Sequence, residues 1–117
     1  MPVYRHIAVN EIGDITVVRF LDRAMLDTSN IEEIAEELFA LVESVDHRKF
    51  LFTFSAVEFL SSAMLDKFIL FDRAAKKQGK AFKLCSLKPE IEEVFVITRL
   101  NQMFQIYEEE ADAIRTF

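Results

Sequence analysis

Two adjacent serines, Ser61 and Ser62, stand where a strand-like stretch changes into a helical pattern. Residues 49–60, KFLFTFSAVEFL, are rich in Phe and typical of a strand, while Leu65 and Phe68 after them have helical spacing. A hydroxyl at a helix N-terminus lies among unpaired backbone N–H groups at the positive end of the helix dipole. It can cap the helix or carry a phosphate there. The pair is therefore predicted to be a helix cap or a modification site.

Asp27 is the second candidate, because it closes the polar loop 21–30 before the next helical pattern upstream. An acid at this point is a common helix N-terminal residue. It would also lie at the carboxyl end of a strand, where open α/β sheets bind their ligands. In a parallel sheet Asp27 would share that edge with Ser61 and Ser62, so it is either a capping acid or a contact beside the serines.

The other residues that could do chemistry lack the partners for it. His6 and His47 have no ligand-spaced neighbours, so we expect surface or edge positions and no metal site. Cys85 lies within an alternating strand pattern and is expected to be a small core residue rather than an exposed, activated nucleophile. Ser62 lacks the flanking glycines of a hydrolase elbow. We therefore predict no catalytic residue and no enzyme activity.

The composition of the chain excludes further classes of function. The chain has 117 residues, 51% of them hydrophobic, with 12 Phe, two Gly and a net charge of −6. The acidic balance argues against nucleic-acid binding, and two glycines are too few for a Walker or dinucleotide loop, so no cofactor is predicted. No apolar run reaches the roughly 18–20 residues of a membrane span. A single Cys is typical of a reducing, cytoplasmic protein.

Alternating strand and helix patterns predict an α/β domain over residues 1–117, with the element order β-β-α-β-α-β-α-β-α. The first two strands, 3–9 and 14–20, form a hairpin whose turn uses Gly13 at a positive φ. The later strand–helix units predict parallel strands with right-handed crossovers. The hairpin should therefore contribute an antiparallel strand at one edge of a mixed sheet.

Apolar spacing predicts the first helix over 30–45, after an S-x-x-E capping box formed by Ser29 and Glu32. The nearly continuous apolar run 48–55 predicts a central strand buried on both faces. The remaining predicted elements are a helix at 62–78 ending at Gly79, a strand at 80–87, a helix from Pro89, a strand at 103–108, and a terminal helix at 109–117 with Ala111, Ile114 and Phe117 on one side.

Three segments are informative when they are taken together: FLSSAMLDKF, MLDTSNIEEI and the tail GKAFKLCSLKPEIEEVFVITRLNQMFQIYEEEADAI. In these segments the chain resembles the STAS domain family. This family comprises the sulfate-transporter and anti-sigma-factor-antagonist domains. The resemblance runs from about residue 10 to 114 and includes the element order, the LD before the first helix and the F-[LIM]-x-S-[SA]-x-L junction. It implies a mixed sheet of four to five strands with helices on one side.

Stand-alone family members of this length resemble bacterial anti-sigma-factor antagonists. In these, a serine at the start of the second helix is phosphorylated by a kinase that is also the anti-sigma factor. The unphosphorylated form binds that kinase and frees the sigma factor, and a PP2C-type phosphatase resets the switch. By the motif, the modified serine falls on Ser62, with Ser61 as the alternative. The implied partner contacts are Asp27, Ser61, Ala63, Met64 and Asp66.

This sequence departs from the family pattern at both motifs. The junction often reads Asp-Ser-[Ser/Thr]-Gly, and here Ser61 takes the Asp position and Met64 the Gly position. The LxGxLD loop reads as residues 20–27 without its glycine. We expect Met64 to lie near the binding edge and reshape a partner contact. Two alternatives keep the fold: a constitutive adaptor or structural subunit of a larger assembly, and a nucleotide- or lipid-sensing module.

Overall fold

The computed structural model describes residues 4–44 and 48–117. The strands are β1 (Ile7–Ile12), β2 (Ile15–Phe20), β3 (Ala24–Met25), β4 (Lys49–Thr53), β5 (Phe59–Leu60), β6 (Ala81–Cys85) and β7 (Gln105–Tyr107). The helices are α1 (Thr28–Ser44), α2 (Ser62–Lys77), α3 (Pro89–Ile97) and α4 (Glu110–Arg115), with a 3₁₀ turn at Leu100–Gln102. Position 3 of the predicted first strand, position 45 of the first helix, and His47 lie outside the described residues.

A five-stranded sheet has the order β1-β2-β4-β6-β7. β1 pairs antiparallel with β2, and every other neighbouring pair is parallel. The predicted mixed sheet with an antiparallel edge strand is thus confirmed. β4 lies at its centre with Phe50, Leu51 and Phe52 all fully buried, as its continuous apolar run predicted.

The hairpin is confirmed, but its first strand is shifted. Ile12 pairs with Ile15 across a tight turn in which Gly13 has φ +61°. The strand begins at Ile7 rather than residue 3, because the N–H groups of Arg5 and His6 donate to the Glu37 carboxylate of α1, at 3.1 and 3.0 Å. The N–H groups of both residues thus point toward the helix layer, while the His6 carbonyl still accepts from the N–H of Leu21 after β2.

The capping box predicted for α1 is wrong. The helix begins at Thr28, so Ser29 is its second residue rather than its cap. The N–H of Ile31 donates to the Asp27 carbonyl at 2.9 Å, which is the first bond of the helical ladder. Asp27 is therefore the residue from which α1 starts.

Helix α2 ends at the predicted glycine. Gly79 has φ +69°, and its N–H donates to the Lys76 carbonyl at 3.1 Å. The N–H of Lys80 donates to the Ala75 carbonyl at 2.8 Å. These two bonds form a Schellman motif. It turns the chain directly into β6.

The helices cover both faces of the sheet, not one. Buried side chains of α1, α2 and α3 share one core with the phenylalanines of β2, β4 and β6. α4 packs on the opposite face, where Ala113 lies with Ile15, Val17, Leu51 and Cys85. Of the residues predicted on one side of the terminal helix, Ile114 and Phe117 pack against this cluster, whereas Ala111 is exposed and Ala113 takes the buried place. Within the described residues, no helix is long and apolar enough to cross a lipid bilayer.

Candidate functional site

Two strands too short to be predicted assemble the candidate site. β3 and β5 form a separate two-stranded parallel sheet in which Ala24 faces Phe59 and Met25 faces Leu60. The N–H of Ser61 then donates to the Met25 carbonyl at 3.1 Å. Because the strands are parallel, the residues that follow them leave in the same direction. Asp27 and the two serines therefore share one edge, as the sequence predicted.

Ser61 is the N-cap residue of α2, but its hydroxyl does not cap the helix. Its backbone is extended, with φ −92° and ψ 162°, and its side chain makes no cap hydrogen bond. The hydroxyl oxygen is buried and has no hydrogen-bond partner. The capping interpretation thus fails at the side-chain level, and the Ser61 hydroxyl is not open to a large partner.

Ser62 is the first residue of α2 and is exposed. Ala63 and Asp66 in the same helix and Asp27 across the β3–β5 junction are exposed as well. Asp66 follows Ser62 by four residues, so the two side chains lie on the same face of the helix. The first turn of α2 therefore presents one hydroxyl flanked by carboxylates.

Met64 is in the core, and its predicted place among the contact residues is wrong. Its exposed fraction is 0%, and it packs in the main hydrophobic core. Met64, Leu65, Phe68 and Phe71 follow the helical spacing of the inward face of α2. The side chain at this position therefore points away from the surface that Ser62 shares.

Exposed apolar side chains next to these residues were missed by sequence reasoning. Leu26, directly before Asp27, is 54% exposed, and Phe59, two residues before Ser61, is 48% exposed. The Arg23 guanidinium lies 5.6 Å from the centre of the Phe59 ring and forms an ion pair with Glu58. The signal was the presence of leucine in a segment interpreted as a polar loop. The surface thus presents two exposed apolar side chains as well as acidic groups.

The remaining candidates lie elsewhere in the fold. Cys85 is fully buried as predicted, and its burial raises the pKa of the thiol. For His6 a surface or edge position was predicted; the residue lies directly before the edge strand β1 but is only 8% exposed, and its ring contacts Asp22. Among residues 4–44 and 48–117, no group of three or more His, Cys, Asp or Glu side chains is arranged to hold a metal ion.

The chain was compared with known families and structures. The model of the STAS domain family matches residues 6–113. An anti-sigma-factor antagonist (STAS) domain protein from Planctomyces limnophilus is 25% identical, with a TM-score of 0.82 over 94% of this chain and 95% of that one. An anti-sigma factor antagonist from Mycobacterium paratuberculosis is 21% identical, with a TM-score of 0.82 over 94% and 91%. Bacillus SpoIIAA in its phosphorylated form is 16% identical, with a TM-score of 0.68 over 95% and 99%.

Proposed function

This chain belongs to the STAS domain family, and we propose that it is an anti-sigma-factor antagonist switched by phosphorylation of Ser62. The carrying observation is the difference between the two serines. Ser62 is exposed at the first position of α2, whereas the Ser61 hydroxyl is buried. A kinase active site must surround the hydroxyl it modifies, so this difference favours Ser62 over Ser61.

The charge of a phosphate at Ser62 would act on binding more than on folding. It adds about −1.5 to −2 charges, close to Asp27 and Asp66 in a chain of net charge −6. The N-terminal end of α2 stabilises a negative group locally. An acidic partner surface would be repelled, and an interface at this edge would have to desolvate the phosphate. Partner affinity would fall while the fold persists.

The proposed contact surface consists of Asp27, Ala63 and Asp66 around Ser62, extended by the exposed Leu26 and Phe59. Ser61 borders this surface, with its N–H bonded to Met25 and its carbonyl to Met64 and Leu65. The apolar side chains would supply burial, and the carboxylates would select the charge of the partner. The proposed partner is an anti-sigma factor that is also a serine kinase, with a PP2C-type phosphatase to remove the phosphate. The similarity to SpoIIAA, which has been solved in phosphorylated form, supports this assignment. The domain itself would carry out no catalytic step.

A cavity of about 300 Å³ bears on the alternative of a nucleotide or lipid ligand. Its lining includes Glu92, Glu108 and Glu109, with Tyr107 among the others. Three carboxylates repel a phosphate group. The lining of this cavity therefore argues against a phosphate-containing ligand at this place.

Phosphopeptide mapping tests the modification directly. The protein is recovered from its own cells in growing and stressed cultures, and residues 57–72 are sequenced by mass spectrometry. We expect phosphate on Ser62 at a level that changes with condition. Full coverage of this stretch without phosphate in any culture would overturn the switch.

Variants at the serine pair test its effect on binding. Purified candidate anti-sigma factor kinases from the same cell are titrated by calorimetry against Ser62→Ala, Ser62→Asp and Ser62→Asn. We expect Ser62→Asp to weaken binding at least about tenfold, because it brings a charge to the interface. Ser62→Asn introduces a side chain of the same size as Asp but without its charge, and it should bind nearly as well as Ser62→Ala.

Ser61→Ala is the matched control, since it removes a buried hydroxyl without a partner and should bind as the wild type does. Equal binding by Ser62→Ala and Ser62→Asp would favour the constitutive adaptor.

A further inference from the structure

His6, directly before β1, connects the loop after β2 to helix α1. Its side chain is 10% exposed, and Nδ1 lies 2.9 and 3.0 Å from the two carboxylate oxygens of Asp22, just after β2. Its backbone N–H donates to Glu37 of α1 at 3.0 Å. Its carbonyl accepts from the N–H of Leu21 at 2.9 Å. One residue thus contacts both the loop that leads to β3 and helix α1.

The bond between His6 and Asp22 has a defined direction. An ionised carboxylate can only accept, so Nδ1 must carry the hydrogen that it donates to Asp22. The other ring nitrogen, Nε2, is buried without a hydrogen-bond partner, 3.8 Å from a Glu33 carboxylate oxygen. Arg5 pairs with that same Glu33 carboxylate at 3.2 Å. The ring is therefore held through Nδ1 by a charge-assisted bond, which is stronger than one between neutral groups.

We propose that His6 is a positioning residue, which fixes loop 21–27 against α1 and so holds Asp27 beside Ser62. β3 and β5 are two residues long, and isolated two-stranded pairs are at best marginally stable in water. The middle of the loop is held by Met25, whose side chain is fully buried in the main core. The His6–Asp22 bond holds the loop at its start, and the Asp27 carbonyl holds it at its end through the first bond of α1.

Loop docking can be measured without any partner. The N–H of Phe59 donates to the Arg23 carbonyl, and the N–H of Ser61 donates to the Met25 carbonyl. Both amides should exchange hydrogen slowly while loop 21–27 is docked. We expect His6→Ala to speed their exchange at least about tenfold, because the loss of one hydrogen bond to a charged group corresponds to about this factor. The hydrogen-exchange protection of the β4 amides, compared with the free energy of global unfolding of each variant, should remain as in the wild type.

Two matched variants separate positioning from packing. His6→Asn places an amide N–H near the former Nδ1 and should restore slow exchange at Phe59 and Ser61. His6→Gln places its amide near the former Nε2 and should not. Asp22→Ala should open the loop as His6→Ala does, and it gives the same test if His6→Ala folds poorly.

Three results would overturn the proposal: unchanged exchange in both alanine variants, equal rescue by Asn and Gln, or acceleration of the β4 amides by the same factor. The effect on partner capture, unlike loop docking, rests on the proposed function. Weaker capture by His6→Ala with recovery in His6→Asn would extend the role of His6 to binding. An open loop with wild-type capture would support the positioning role of His6 and overturn Asp27 as a partner contact.

Discussion

The face of the sheet beneath α1, α2 and α3 is filled by phenylalanine, whereas α4, six residues long, closes the opposite face over a much smaller apolar cluster. On the first face, the Phe52 ring lies 5.1 to 6.4 Å from four others, those of Phe20, Phe68, Phe71 and Phe82. Neighbouring rings share the burial there. Stability on this face is therefore distributed over many residues.

The second face buries a charged residue. Lys83 is 4% exposed, and its Nζ lies 2.7 Å from the Thr116 hydroxyl oxygen and 3.4 Å from the Ala113 carbonyl oxygen. The same nitrogen lies 4.9 Å from the centre of the Tyr107 ring and 4.3 Å from that of Phe117. One amine thus connects β6 to the end of α4. The comparison teaches that the small face combines a small apolar cluster with one buried amine, whereas the large face relies on the burial of many rings.

Phe52→Ala tests the first face and should have the largest effect. It removes a fully buried ring from the middle of the core, which costs about 3–5 kcal/mol in the free energy of unfolding. Urea denaturation followed by circular dichroism measures it. Phe52→Leu is the control and should recover most of the loss. A cost below about 1 kcal/mol for the alanine variant would mean that the rings do not share one core.

Lys83→Met tests the second face and should have an intermediate effect. It keeps the apolar stem but removes the donor to Ala113 and Thr116, at a cost of about 1–2 kcal/mol. The loss should be local, because the bonds connect only α4 to the sheet. Hydrogen exchange should therefore quicken in α4 and stay unchanged in β4. Wild-type exchange in α4 would show that the amine does not hold the helix.

Cys85 gives the smallest expected effect, and it depends on pH. Burial raises the pKa of its thiol in the folded state, so folding favours the neutral form. The contribution of the neutral thiol to the free energy of unfolding is complete below the pKa of the unfolded thiol. It is lost as the pH rises above that value. Between about pH 8 and pH 10, the free energy of unfolding should therefore fall more steeply for the wild type than for Cys85→Ala. Parallel curves from denaturation at each pH would contradict this.

The element order and the centre of the sheet could be predicted because they depend on long apolar patterns. Three features could not. β3 and β5 are two residues each, too short for any period to show. Lys83 occupies an alternating strand position that is typical of an exposed residue, and only the docking of α4 covers it. α4 buries Ala113 rather than Ala111, because the sheet rather than the helix pattern selects the face.

The position of the candidate site could be predicted from the sequence, whereas the burial of Met64 was not predicted. Asp27 and the serines were expected on one edge because parallel strands end at the same side of a sheet. The inward turn of Met64 depends on which residue begins the buried face of α2. A shift of one residue moves a helical side chain by about 100° around the axis. The spacing of Leu65, Phe68 and Ala75 is compatible with Met64 on the inward face, and only the family pattern placed Met64 at the binding edge.

The parallel pairing of β3 with β5 also has a kinetic consequence. Arg23 and Glu58, at the start of this junction, are 35 residues apart in the chain. Closing so long a loop costs entropy before any contact repays it, and non-local pairings tend to form late. Of the five-stranded sheet, only β4 lies within that loop, together with α1, and the pairing of β2 with β4 closes nearly the same stretch of chain, from Arg19 to Thr53. Once β2 has paired with β4, only the short segments before Ala24 and before Phe59 remain to be closed, so Asp27 and Leu26 would come to lie beside Ser62 soon after the centre of the sheet forms.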